Sequence, residues 1–185
     1  MSPGWRISEC NFTEDDGSLP GVDFAGLTPD SVRSITDYFF RSGEVTDKNA
    51  TLWDNRSEQD VNLSEIADPA GLVSCGAACP FHCCFSGISW NQVELPVLGL
   101  FVFQESLEID YRMGAEWNPD RVDAFLRLIA HLISIAPEAT VESAEQEGLP
   151  FPGRFDEALD HYAPERKKKA EQGGTGQPAT RSESK

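Results

Sequence analysis

The sequence predicts an α+β fold in which a mainly antiparallel sheet carries two principal helices on one face. Three observations lead to it. Residues 81–113 hold short β-prone runs separated by turn residues, the pattern of a β-meander. Behind Asn118-Pro119-Asp120, apolar residues from Val122 to Ala136 recur at helical spacing. Thr28-Pro29-Asp30 opens a second stripe, carried by Val32, Ile35 and Phe39. At 185 residues and 39% apolar content, with 11 Phe and 4 Trp, the chain can bury one core without covalent staples.

Residues 1–26 mix Gly, Pro, Asp and Asn with isolated aromatics. They read as an irregular N-terminal arm, with a short strand near Arg6 to Cys10 as its one regular piece. Residues 27–163 read as a single α+β domain. Its first helix spans about 29–42: Thr28 caps, Pro29 suits the first helical position, Asp30 suits the positive end of the dipole, and Gly43 stops it. Residues 44–70 are polar with apolar islands. Thr51-Leu52-Trp53 and Val61-Asn62-Leu63 suit short strands. Ser64 to Ala67 suits a helical turn ended by Asp68-Pro69.

In the meander, Phe81 to Trp90 is one β-prone run turning at Asn91-Gln92. Val97 to Phe103 is nearly continuous in apolar residues, the mark of a central strand covered on both faces. Leu107 to Met113 alternates strictly. Leu107, Ile109, Tyr111 and Met113 share one face, and Glu108, Asp110 and Arg112 share the other. The second helix spans about 118–136 and ends at Pro137, with Leu128 and Ile135 at the edge of its apolar stripe. Ala139-Thr140-Val141 suits an edge strand, and Phe151 to Tyr162 a short docked segment. Residues 164–185 hold no large apolar residue and are expected to form a disordered basic tail.

Charge narrows the function classes. Residues 1–163 hold 28 acidic and 9 basic side chains, a net of −19, against an overall −16. Such a field repels phosphate backbones, so direct nucleic-acid binding by the domain is not expected. The same field speeds encounter with a basic protein partner. No run of about 18 apolar residues exists and the first residues lack a signal-peptide pattern, so the expected location is the cytoplasm, with no membrane partner.

Catalytic signatures are missing: no Gly-x-Ser-x-Gly elbow, no phosphate loop, no His-Glu-x-x-His, no dinucleotide fingerprint. Cys75, Cys79, His82 and Cys83 are close in sequence and of the ligand types zinc prefers. Their spacing departs from paired Cys-x2-Cys elements, and neighbouring strand residues such as Cys83 and Cys84 point apart. The reading therefore favours small apolar core cysteines and no cofactor, with zinc the ion this set would take. His131 is expected on the solvated side of the second helix.

The leading functional reading is a non-catalytic, acidic protein-binding protein. Its sharpest form is a bacterial immunity or antitoxin-type inhibitor of a basic toxin, such as a nuclease. Glu108, Asp110, Arg112, Glu116 and Asp120 are the candidate partner contacts, with Trp53 and Trp117 as apolar anchors. The alternatives are a metal- or thiol-dependent protein centred on Cys75 to Cys84, and an assembly subunit of a phage or secretion system that contacts a neighbour through Leu128 and Ile135.

Overall fold

Pro29, Pro69 and Pro119 each stand at the first position of a helix, immediately behind a capping side chain. Proline there loses no hydrogen bond, because the first helical N–H groups have no partner inside the helix. Thr28 accepts from the Ser31 N–H, Asp68 from Gly71, and Asn118 from Asp120 and Arg121. The computed structural model describes residues 3–15, 17–143 and 149–164. Of the tail expected over 164–185, residues 165–185 lie outside them.

In chain order the elements are α1 (Pro3–Ser8), a 3-10 turn (Glu9–Asn11), β1 (Gly21–Ala25), α2 (Pro29–Ser42), β2 (Glu44–Val45), β3 (Thr51–Asp54) and β4 (Gln59–Asn62). A second 3-10 turn (Leu63–Glu65), α3 (Pro69–Ser74), β5 (Phe81–Ser86), β6 (Ser89–Trp90), β7 (Val93–Glu94) and β8 (Leu98–Val102) follow. The last are β9 (Ser106–Tyr111), α4 (Pro119–Ile135), β10 (Thr140–Ser143) and α5 (Pro152–Asp160). Six strands form one antiparallel sheet in the order β10-β1-β9-β8-β5-β2, and β3-β4 and β6-β7 are separate hairpins.

The α+β architecture and both principal helices stand where the sequence places them. Several details differ. Residues 1–26 are not an irregular arm: they contain α1, and β1 sits inside the sheet between β9 and β10. Val22 and Phe24 face the core and Asp23 faces away, but five residues between Pro20 and Gly26 are too few to declare a strand before a partner is known. Arg6 to Cys10 is helical, not extended. Asp68-Pro69 opens α3 rather than closing a turn, repeating the cap-then-proline start. The run from Phe81 to Trp90 breaks at Gly87, whose φ of 75° turns the chain out of the sheet into the β6-β7 hairpin. Gly43 ends α2 in extended backbone; a Cβ there would lie 2.8 Å from Ile88 and 3.0 Å from the Ser86 carbonyl, so close approach explains the glycine.

The core lies on one side of the sheet. Phe81, Cys83, Phe85, Leu98, Leu100, Val102, Leu107, Ile109, Tyr111, Val22 and Phe24 alternate inward beneath the helices and are buried. At its end is an aromatic corner. Phe12 stacks on Tyr111 at 5.0 Å between centroids, and Trp117 and Phe125 pack edge-on against Tyr111 at 5.0 and 5.2 Å. The Tyr111 hydroxyl donates to the Asn11 carbonyl at 2.8 Å, and the Trp117 indole N–H donates to the Arg112 carbonyl at 2.8 Å. Leu128, expected at a second surface, is fully buried in this same core, which removes it as an oligomer contact; Ile135 packs partly buried beside it.

The Asn11 side chain bridges the chain ends. Its amide accepts from the Phe151 N–H at 2.7 Å and donates to the Phe151 carbonyl at 3.1 Å, and it is wholly buried. Asn11→Ala strands the Phe151 N–H, while the carbonyl keeps its bonds from the Arg154 and Phe155 N–H groups, so global stability is expected to fall by about 1–3 kcal/mol. Amide exchange over Phe155–Leu159 is expected to accelerate ahead of the sheet. Urea denaturation and hydrogen exchange check this, and an unchanged α5 would contradict it.

Candidate functional site

A strand presents alternate residues to opposite faces, so every side chain pointing away from the helices lands on the second face of the sheet. Among the described residues no second layer replaces the helices there: Asp23, Cys84, His82, Phe101 and Glu108 are partly exposed, and Glu142 and Thr140 are exposed. Among the described residues, the strand Leu98–Val102 is therefore covered on one face by helices and on the other by its neighbours' side chains rather than by a second layer.

Strand register sets one row across this open face. Glu142 on β10 stands opposite Asp23 on β1, Asp23 opposite Glu108 on β9, Glu108 opposite Phe101 on β8, and Phe101 opposite His82 on β5. Three carboxylates thus occupy directly opposed positions, and no Lys or Arg stands in the row. Like charges directly opposite one another concentrate negative potential along the row. The Phe101 ring continues the row, with Phe103 stacked on it at 5.9 Å.

The adjacent row is Gly21, Asp110, Gly99 and Cys84. Glycine on both sides of Asp110 leaves beds for long side chains. A Cβ on Gly21 would lie 2.3 Å from the Glu108 carboxylate, and one on Gly99 would lie 2.3 Å from that of Asp110. Across Gly99, Asp110 Oδ2 shares a hydrogen bond of 2.8 Å with Nε2 of His82. The imidazole lies flat on Phe101 at 4.0 Å and 25°. Asp110 is only 6% exposed although it is on the open face.

The thiols here are held protonated. Burial pushes Cys83 up to about 12, with the neighbouring Cys84 adding to the shift. Burial also raises Cys84, and the Asp110 carboxylate adds to it. This is the opposite direction from an activated nucleophile, which needs a thiolate stabilised by positive charge.

The structure separates the residues that sequence pattern groups. Glu108 and Asp110 share the open face. Arg112 lies just beyond β9 and pairs at 3.2 Å with Asp15 in a largely solvated contact of little energetic weight. Glu116 and Asp120 are exposed at the corner leading into α4. Trp117 is no surface anchor: it is 4% exposed because its ring fills the aromatic corner. Trp53 is 43% exposed on the β3-β4 hairpin, a separate sheet.

The four metal candidates diverge. The Cys75 thiol donates to the Leu72 carbonyl, Cys79 to Asn55 Oδ1, Cys83 points into the core, and His82 engages Asp110. Among the described residues no group of three or more His, Cys, Asp or Glu side chains is placed to hold a metal ion. Sequence reasoning missed Asp23, Glu142 and the His82–Asp110 pair. The available signal was parity: His82 and Cys84 are two residues apart on one strand, so they share a face. His131 is not solvated; its ring sits half-buried between Tyr38 and Trp90 at 5.4 and 5.2 Å.

No family model, no curated protein and no solved structure matches this chain. Among the described residues, no helix is long and apolar enough to cross a membrane.

Two outcomes check this geometry. Gly99→Ala drives a methyl group into the Asp110 carboxylate. It is expected to cost about 1–3 kcal/mol and to move the His82 imidazole resonances as Asp110→Asn does. Unmoved resonances would contradict the bed. For Cys83, the folded-state value of about 12 lies above the ordinary 9.0. Its stabilising contribution is therefore complete below pH 9.0 and is lost as pH rises toward 12, where the unfolded chain ionises first. Denaturation at pH values from about 8 to about 10.5 is expected to show a decline that Cys83→Ala flattens, by up to about 1.4 kcal/mol per pH unit. Parallel curves would contradict the buried thiol.

Proposed function

We propose that this chain is a non-catalytic protein-binding protein whose open sheet face receives a basic protein. The observation that carries the reading is the register-aligned row Glu142–Asp23–Glu108 on the sheet face opposite the helices, bordered by Phe101. A fold that sets three carboxylates in opposed positions on adjacent strands concentrates negative charge that a partner's Lys and Arg side chains would complement. The net charge of −19 over residues 1–163 extends the attraction beyond the contact itself. The protonated thiols and the engagement of His82 with Asp110 favour recognition over thiol chemistry. In its sharpest form the partner is a basic toxin domain such as a nuclease, whose phosphate-binding groove is itself cationic, and this chain is its immunity- or antitoxin-type inhibitor.

Compared with the residues that sequence pattern suggests, the contact set shifts. Glu108 stays, Asp23, Glu142 and Phe101 join it, and Asp110 acts from beneath by holding His82. Co-purification of the full chain with the products of neighbouring genes, at about 50 and about 500 mM salt, tests the reading. A basic partner is expected to be retained at low salt and released at high salt. The triple variant Asp23→Asn, Glu108→Gln, Glu142→Gln is expected to weaken it at least about tenfold. No retained partner, or retention indifferent to salt and to the triple variant, would remove the basis of the proposal.

A further inference from the structure

A second surface runs against the molecule's acidic character. Beside α4, a cleft of about 600 Å³ is lined by Trp90, Asp123, Arg127, His131, His161 and Tyr162. It draws on the hairpin β6-β7, the middle of α4 and the end of α5, and is independent of the open sheet face. Its volume is within the range of small-molecule sites.

The polar groups in it are prearranged. Arg127 Nε donates to Asp123 at 2.7 Å, and its guanidinium lies over the Tyr162 ring at 5.0 Å. The Tyr162 hydroxyl donates to the same Asp123 carboxylate. Asp123 is the one carboxylate among the described lining residues, and it is paired with the Arg127 guanidinium. No described residue takes a hydrogen bond from the guanidinium's terminal Nη1 and Nη2 groups, or one with the ring nitrogens of His131. His131 is held by ring contacts alone, between Tyr38 and Trp90. His161 is exposed at the cleft's rim, where α5 ends. Arg127, His131 and His161 therefore offer donors toward a space walled by the Trp90 and Tyr162 rings.

We infer that this cleft binds a small aromatic acid. The carboxylate would meet the terminal amines of Arg127 and the imidazoles of His131 and His161, because a guanidinium edge matches two carboxylate oxygens. The ring would lie against Trp90, since stacked rings add to simple area burial. Immobilising Arg127 beforehand, through Asp123 and Tyr162, lowers the ordering cost of binding.

The test uses the full chain, with benzoate, its neutral amide benzamide, and inorganic phosphate as probes. The readout is nuclear magnetic resonance of the Trp90 indole N–H and the His131 imidazole. Benzoate is expected to shift both saturably, with a Kd on the order of 1 mM for so small a fragment. Benzamide and phosphate are each expected to bind at least about tenfold more weakly, because one lacks the charge and the other the ring. Arg127→Gln is expected to weaken benzoate by about tenfold or more. His161→Gln, a change at an exposed position, is expected to weaken it by a smaller factor while leaving the fold intact. Absent saturation, equal shifts with benzamide or phosphate, or unchanged benzoate affinity in both variants would overturn the assignment.

Discussion

A six-stranded antiparallel sheet that, among the described residues, carries helices on one side only governs the rest of this molecule. Side chains alternate along each strand, so one parity is committed to the core and the other to the open face. A shift of one residue in any pairing would send Leu100, Ile109 and Phe24 into water and Asp110 and Glu108 under the helices. The core parity carries Phe24, Phe81, Phe85, Leu98, Leu100, Val102, Leu107, Ile109 and Tyr111, all buried. That commitment frees the other parity to hold polar and charged groups, and it aligns them into rows.

The corner at the end of β9 ties the sheet to the segments before β1 and after β10. Tyr111 is the last residue of that strand, and its ring meets Phe12, Trp117 and Phe125 while its hydroxyl meets the Asn11 carbonyl. Asn11 then holds Phe151 through two hydrogen bonds, which brings α5 against α1 and α4. Satisfying every buried polar group at this junction is what lets the segments before β1 and after β10 pack as part of the core.

Much of the fold was legible in sequence, for local reasons. Thr28-Pro29 and Asn118-Pro119 announce helices because capping and proline placement are local physics. Strict alternation in Leu107–Tyr111 announces a half-buried strand. What was hidden is non-local. Gly21–Ala25 reads as a strand only beside β9 and β10. The alignment of Asp23 with Glu108 and Glu142 follows from register, which no local pattern specifies. Asp110 reaches His82 only because Gly99, eleven residues before it, leaves the intervening position empty. Trp117 has the composition of an interface anchor, but the same large ring fills a strand-to-helix corner, and here the corner takes it.

The open face is where the proposed basic partner would dock. The row Glu142–Asp23–Glu108 adds a local concentration of carboxylates to a body already strongly acidic, while the cleft beside α4 pairs its one carboxylate with Arg127 on a different surface. The most direct check is a map of near-surface electrostatic potential, measured residue by residue from the relaxation that cationic and anionic nitroxide probes induce. The account expects the most negative potential at amides of β1, β9 and β10 around Asp23, Glu108 and Glu142, and a markedly less negative one around Arg127 and His131. A potential uniform over the surface, or most negative at the α4 cleft, would contradict it.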